Sequence, residues 1–471
     1  MKLPRKLLFV TCVALASSGV LAGPGGRTTK VEIWLDTEDY TSERSADAIR
    51  DLAKLLTEEG VRGHFNVVGY LALTLQRNGR RDVIDALRPH CIGTQTLYHS
   101  RHPVIGEYCD VADHWAAYGR CMREEAQCVG MVKAVFGRDF IPFSVLPGPN
   151  APIVAFDVYA DLGIPTSVVY DYDDGRRGKH WYCNQLMVQY NADDYGFYLE
   201  NLLQDDYTAE RMLANLDKVA DFERIAISMH PHRAVKKQFW DIENFLGGNL
   251  TEFGKWAPTE YRDPEVTARF YRRLREVIRG IKADGRFEFD DWEQVLAAVK
   301  PRTVIRPADI PAIRRAFEKR LVPLESPASW CIADVFQAAV KFLRGETEHM
   351  PGRVHGFLSL PSGVTGNVRV RTADLKEAAK KIDLGGYLPV EYDVGGVKLG
   401  PSDFLLAALE ALETGAEDVT VKPRGSQLGD LEGFAPGLAK YRHRWCIFSK
   451  DFKDRYLSDR LRYQFWTFRY E

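Results

Sequence analysis

From residue 29 onward, short apolar runs alternate with longer amphipathic stretches. Lys30-Val-Glu-Ile-Trp-Leu35 has the length and apolar content of a strand. Ser45 to Gly60 carries Ile49, Leu52, Leu55 and Leu56 at spacings that fall on one helical face. Further strands are predicted at His64–Val68, Cys91–Leu97, Ile141–Leu146, Ser167–Tyr170 and Arg224–Met229. Helices are predicted over Asp82–Leu87, Ala151–Leu162, Ala209–Ala220 and Val266–Ile281. Strand–helix alternation of this kind specifies parallel strands with helical crossovers, an α/β sheet or barrel. Reactive groups in such folds collect at the C-terminal ends of the strands. That directs attention to the residues after Leu35, Leu97, Leu146 and Met229.

The pattern changes beyond residue 300. Pro301, Pro307, Pro311, Pro323 and Pro327 mark a Pro-rich linker over 301–327. Asp334-Val-Phe-Gln-Ala-Ala-Val-Lys-Phe-Leu343 then recurs 69 residues later as Asp403-Phe-Leu-Leu-Ala-Ala-Leu-Glu-Ala-Leu412, with a third helical segment, Thr372–Lys381, between them. Residues 328–471 therefore read as a smaller, mainly helical accessory domain with a repeat-like build. At the other end, the basic stretch Met1–Lys6 leads into the apolar run Leu7–Ala16 and the small residues up to Ala22. This is the layout of a signal peptide over residues 1–22, which makes the expected product secreted, or periplasmic to extracellular. No later stretch approaches roughly 18 uninterrupted apolar residues, so no transmembrane segment is expected after processing.

Lys plus Arg number 63 against 65 for Asp plus Glu, a net charge of -2. That balance excludes a strongly basic nucleic-acid binder. Cys91, Cys109, Cys121, Cys128, Cys183, Cys331 and Cys446 follow the leader, and an odd number leaves at least one thiol free. No Cys-x-x-Cys occurs, which argues against a thiolate zinc site, and buried thiols account for most of the set.

Candidate chemistry begins at Asp36-Thr-Glu-Asp39, where three carboxylates follow a strand. They form either a solvated acidic turn or a site for a cation or shared proton. Gly93-Thr-Gln-Thr-Leu-Tyr-His-Ser-Arg-His-Pro103 places His99 and His102 just past another strand, and imidazoles beside carboxylates are the set zinc favours. Ile225-Ala-Ile-Ser-Met-His-Pro-His-Arg233 places His230 past a late strand, where it could shuttle a proton; His232 could line the same mouth or lie on the surface. His64 reads as a packed core histidine. Trp181 and Tyr182, with the acidic run Tyr170–Gly175, could wall a sugar site or pack a loop.

In this order, with Gly60-Val-Arg-Gly-His-Phe-Asn-Val-Val-Gly69 between the first two motifs, the residues resemble polysaccharide deacetylases with the NodB-type domain, a divergent branch of carbohydrate esterase family 4. The resemblance covers roughly residues 27–300. It implies a distorted (β/α) barrel and metal-dependent removal of acetyl groups from N-acetylated sugars or acetylated hydroxyls, a hydrolase acting on non-peptide carbon–nitrogen bonds. Carried over by position, Asp36 is the catalytic base and His230 the proton donor to the leaving group. Glu38 or Asp39 is the metal carboxylate, His99 matches the second histidine of the family's metal pair, and His102 could substitute for the missing first. The metal is divalent, with zinc expected. Two departures stand out: Gln95 occupies the position of the first metal histidine, and Leu146-Pro-Gly-Pro-Asn150 replaces an arginine-containing loop. A barrel that binds glycans without hydrolysing them is the alternative that Gln95 favours. A glycosidase using Asp36 and Glu38 is a further one, disfavoured because such carboxylates must flank the bond roughly 5–10 Å apart. Thr372–Leu405 is similar to the pseudomurein-binding repeat, which implies attachment to a cell-wall or matrix polymer.

Overall fold

The computed structural model describes residues 28–169, 179–252, 255–257 and 259–471. The expected signal peptide, residues 1–22, and the acidic run Tyr170–Gly175 lie outside them. Nine strands form the core of the main sheet: β1 (Thr29–Thr37), β2 (His64–Val67), β3 (Cys91–Thr94), β4 (Ser144–Val145), β5 (Thr166–Val169), β6 (His180–Tyr182), β7 (Gln185–Gln189), β8 (Arg224–Met229) and β9 (Phe287–Phe289). A tenth, Arg469–Tyr470, comes from the far end of the chain and pairs antiparallel with β6. From that edge the order is Arg469–Tyr470, β6, β7, β5, β4, β3, β2, β1, β8. All neighbours from β7 through β5 to β8 are parallel. β9 pairs with Thr29–Val31, beside the end of β1 that β2 does not reach.

The sheet curls far enough for the exit of β7 to meet β8. Asn191 brackets β8 with its side chain, accepting from Ala226 N at 2.8 Å and donating to Arg224 O at 3.0 Å, and Ala192 N donates to Ala226 O at 3.2 Å. The architecture is thus α/β, a curled, largely parallel sheet with helices outside and helical regions following, as the alternation predicted.

A strand alternates faces every residue. In β1, Val31, Ile33 and Leu35 point outward into the helix-covered core, whereas Trp34 points inward with Cys91, Phe143, Val168, Leu186 and Trp292. Trp34 stacks on its register partner His64, ring centroids 4.5 Å apart. His64 is a core residue: Nδ1 lies 3.1 Å from Ile33 O and Nε2 accepts from Trp292 N at 3.0 Å. Gly93 is required here because any Cβ would fall within 2.5 Å of Phe143 atoms. The helix Glu43–Glu58 buries the predicted face, Ile49, Leu52, Leu55 and Leu56, and starts with Ser42 as its N-cap.

Beyond residue 328, the recurring segments become the helices Ile332–Leu343 and Pro401–Thr414, in contact through Phe336 and Phe404. Their matching aspartates do the same work: Asp334 accepts from Cys331 N at 3.0 Å and Asp403 from Gly400 N at 3.2 Å, each closing the first turn. Two small antiparallel ladders accompany them. This region packs on the barrel through Tyr387, which donates to Asp157, and Arg353, which pairs with Asp161. The seven cysteines from Cys91 on are all thiols; six are buried and Cys446 is exposed. No helix among the described residues is long and apolar enough to cross a membrane.

Candidate active site

The alternation that turns Trp34 inward turns Asp36 inward as well, at the C-terminal mouth of the barrel. Asn66 of β2 is its register partner. Asn66 Nδ2 donates to Asp36 Oδ1 at 2.8 Å, and the Tyr190 hydroxyl, just past β7, donates to the same oxygen at 2.6 Å. Oδ2 faces His230 Nε2, just past β8, at 3.6 Å. Burial raises the Asp36 pKa, opposed by the His230 charge.

His230 is oriented from behind. Its Nδ1 donates to Glu200 Oε1 at 2.8 Å, and Glu200 Oε2 accepts from Arg233 Nε at 2.9 Å. Burial works against the imidazolium, but Glu38, Glu200 and Asp36 outweigh it and hold the His230 pKa up to about 10. With Nδ1 committed to Glu200, the proton that can be given away sits on Nε2, the atom facing Asp36.

Beside this pair lies a second cluster. His99 has a positive φ of 59° and sends Nε2 to 2.9 Å from Glu38 Oε2. Its Nδ1 donates to Ser100 Oγ, which donates in turn to Asp241 Oδ2 at 3.0 Å. That relay fixes the tautomer, so loss of the second proton leaves a lone pair on Nε2. Burial opposes ionisation of Glu38, yet His99 and His230 bring its pKa down to about 2. Burial, reinforced by Glu38, pushes Asp241 up to about 6.

Asp36, Glu38, Gln95, His99, His230 and Asp241 line one cleft of about 270 Å³, whose other wall is Gly148, Pro149, Phe239, Ile242 and Trp445. Glu38, His99 and Asp241 each offer one ligand atom, all within 4.8 Å of one another. Glu38 Oε1 and Gln95 Oε1 are buried in the same place with no hydrogen-bond partner. Two carboxylates, an imidazole and the open amide oxygen of Gln95 form a donor set that fits a divalent cation of borderline softness.

Sequence searches find no matching family model and no matching curated protein. The structure is similar to solved carbohydrate esterases. A family 4 carbohydrate esterase from Streptomyces lividans aligns at 13% identity over 55% of this chain and 90% of that one, with a TM-score of 0.30. A family 4 acetyl xylan esterase from Clostridium thermocellum aligns at 13% over 57% and 91%, with a TM-score of 0.32. A family 4 pseudoenzyme from Bacillus anthracis aligns at 10% over 43% and 55%, with a TM-score of 0.28.

Of the residues singled out in the sequence, Asp36, Glu38, His99 and His230 converge, and Gln95 joins them. Asp39 and His102 do not. Asp39 Oδ1 accepts from Thr41 N and Oγ1, and Oδ2 takes Ser45 Oγ at 2.6 Å and lies 3.1 Å from Lys236 Nζ, so it anchors the first helix. His102 is held by Glu107 Oε2 at 2.7 Å and packs on Phe245, outside the cleft lining. His232 is buried against Phe239 rather than on the surface, and burial lowers its pKa to about 4. Trp181 and Tyr182 sit on β6 at the far edge of the sheet, where Trp181 donates to Glu471 and Tyr182 to Leu461 O; they make a seam, not a sugar wall. Another buried trio, His64, Cys91 and Asp291, is spent internally, since both His64 nitrogens face backbone and Cys91 Sγ donates to Asp291 at 3.0 Å.

Proposed function

We propose that this chain is an exported hydrolase that removes acetyl groups from an N- or O-acetylated polysaccharide with the help of a divalent metal. The observation that carries the reading is Asp36 facing His230 at 3.6 Å beside the donors Glu38, His99 and Asp241. Asp36, its Oδ1 held by two donors, offers Oδ2 to the proton of an attacking water. His230 gives its Nε2 proton to the departing sugar amine or alcohol, and acetate remains. Glu200 keeps the ring turned so that Nε2 rather than Nδ1 faces the reaction. Glu38, His99 and Asp241, with Gln95 as a neutral acceptor, would hold zinc, which when bound acidifies water and polarises the acetyl carbonyl. A carboxylate-pair glycosidase finds no support, because Asp36 and Glu38 both approach the same His230 nitrogen, at 3.6 and 4.0 Å, instead of flanking a bond.

Gln95 supports a second reading, a glycan-binding protein on the same barrel without turnover, since an amide oxygen is a weaker zinc ligand than imidazole. Elemental analysis of the purified chain beside His99→Ala separates the two, together with acetate release from N-acetylglucosamine oligomers. The hydrolase reading expects near-stoichiometric zinc that is lost in the variant, and acetate from the wild type only. Glycan binding with neither metal nor acetate after zinc reconstitution establishes the second reading. The anchoring role implied for Thr372–Leu405 belongs to the same proposal, and co-sedimentation of the full chain with insoluble wall polymer tests it.

A further inference from the structure

The cleft is not walled by the barrel alone. Trp445 comes from a stretch that begins at His443, 154 residues after β9 ends at Phe289, yet its indole stands edge-on to His99, centroids 5.5 Å apart and planes at 88°. Three separate barrel loops pin the segment that carries it. His443 Nε2 accepts from Ala151 N at 3.1 Å in the loop after β4. Glu107 Oε1, in the loop after β3, accepts from Ser449 N at 2.7 Å, and Asp110 accepts from Arg455 N and Tyr456 N at 2.9 and 2.8 Å. After β8, Gly247 N donates to Cys446 O at 2.9 Å.

The barrel is also shaped to receive the ring. Gly148 has a φ of 61°, and a Cβ there would lie 2.6 Å from Trp445 Cγ and Cδ2. Gly248 leaves the same kind of room for Ser449, whose Cα would be 2.4 Å from an added Cβ. Loop and segment therefore fit each other at backbone level, and the indole is held in place before any ligand arrives. Trp445 itself is half-buried, with part of its surface open to the cleft.

The cleft consequently has two unlike sides. Asp36, Glu38, His99 and Asp241 are polar; Trp445, Phe239, Ile242 and Pro149 are apolar. A pyranose is amphipathic in the same sense, with a face of C–H bonds and a rim of hydroxyl groups, and flat aromatic rings cover such faces. We propose that Trp445 is a specificity-determining residue that stacks on the sugar carrying the acetyl group, so that the C-terminal region completes the substrate site. This rests on the deacetylase reading for its substrate class.

The test compares wild type with Trp445→Ala and Trp445→Phe as full chains. Acetate release is followed from N-acetylglucosamine oligomers and from ethyl acetate, an acetyl ester without a sugar. In parallel, alkylation of the neighbouring exposed thiol Cys446 by iodoacetamide is read by peptide mass spectrometry with and without oligomer. The expected result is a KM for the oligomers raised about three- to tenfold in Trp445→Ala, partly restored by Phe, with kcat/KM for the oligomers relative to ethyl acetate falling by the same factor. Oligomer should also slow Cys446 alkylation in wild type but not in Trp445→Ala. A wild type that deacetylates the oligomers while Trp445→Ala keeps the same KM and the same protection overturns the role of Trp445 alone. Protection lost in the variant with no acetate released by wild type overturns the deacetylase reading and leaves Trp445 as a glycan contact. An oligomer that neither reacts with nor protects wild type overturns both.

Discussion

Glu200 Oε1 takes the Nδ1 proton of His230 at 2.8 Å while Arg233 holds its other oxygen, so a charge behind the ring sets which nitrogen faces the cleft. Glu200→Gln keeps an acceptor and removes the charge. The expected outcome is a kcat for acetate release about tenfold lower with KM little changed, checked by steady-state kinetics; an equal rise in KM would mean disturbed packing instead. Gln95 offers the complementary test. Its Oε1 is buried without a partner beside Glu38 and His99, so Gln95→His should tighten zinc binding by about tenfold or more, measured by competition with a chromogenic chelator. Unchanged affinity would remove residue 95 from the donor set. Asp36, Glu38, His99 and His230 were legible because each follows an apolar run whose end can be read. Asp241 and Glu200 were not. They come from the short α-helix Trp240–Phe245 and the 3-10 helix Leu199–Leu203, which are too short to show a periodicity of their own, and reach the site only through tertiary packing.

At the scale of elements, the helix His114–Phe136 shows what patterning hides. It is 23 residues long, yet its first three turns bury His114, Ala117, Cys121 and Glu125, small or polar residues, and the apolar stripe of Val129, Val132, Val135 and Phe136 is confined to its end. The β6–β7 hairpin was equally silent, because its turn uses Cys183 and Asn184 at φ 49° and 61° where glycine would have announced it. The strands β1, β2, β5 and β8, by contrast, lie within a few residues of where the apolar runs put them. Glu125 carries a measurable consequence. Burial, with Glu124 adding to it, raises its pKa to about 8, against 4.5 for an ordinary glutamate. The native state therefore binds the proton more tightly than the unfolded chain. Stability from this group is complete below pH 4.5 and falls by up to about 1.4 kcal/mol per pH unit until the native carboxyl ionises near 8. Glu125→Gln should melt increasingly above wild type as pH rises from 5 to 8, in thermal scans across that range. A constant gap would show that Glu125 does not titrate on unfolding.

Considered whole, the molecule closes on itself twice. The segment 443–456 reaches the mouth of the cleft, and Arg469–Tyr470 covers the outer edge of β6. Its registers are Arg469 with Trp181 and Tyr470 with His180, and His180 stacks on Phe468, centroids 4.9 Å apart. Deleting residues 469–471 should lower the melting temperature by several degrees and increase light scattering on heating, since it reopens β6 as an unpaired edge. Unchanged melting and scattering would mean that β6 needs no cover. Long-range closure of this kind cannot be read from local patterning, because Arg469-Tyr470 is too short to look like a strand and its partner lies in another region.

That last pairing also has a dimension in time. Trp181 and Glu471, which meet across it, are separated by 290 residues. At ordinary translation rates of about 5–20 residues per second, β6 leaves the ribosome roughly 15–60 s before its neighbour exists. For that interval the nascent sheet presents a bare strand to every other polypeptide nearby. Cover for that edge therefore waits on residues 469–471, and a chain cut short of them keeps β6 open.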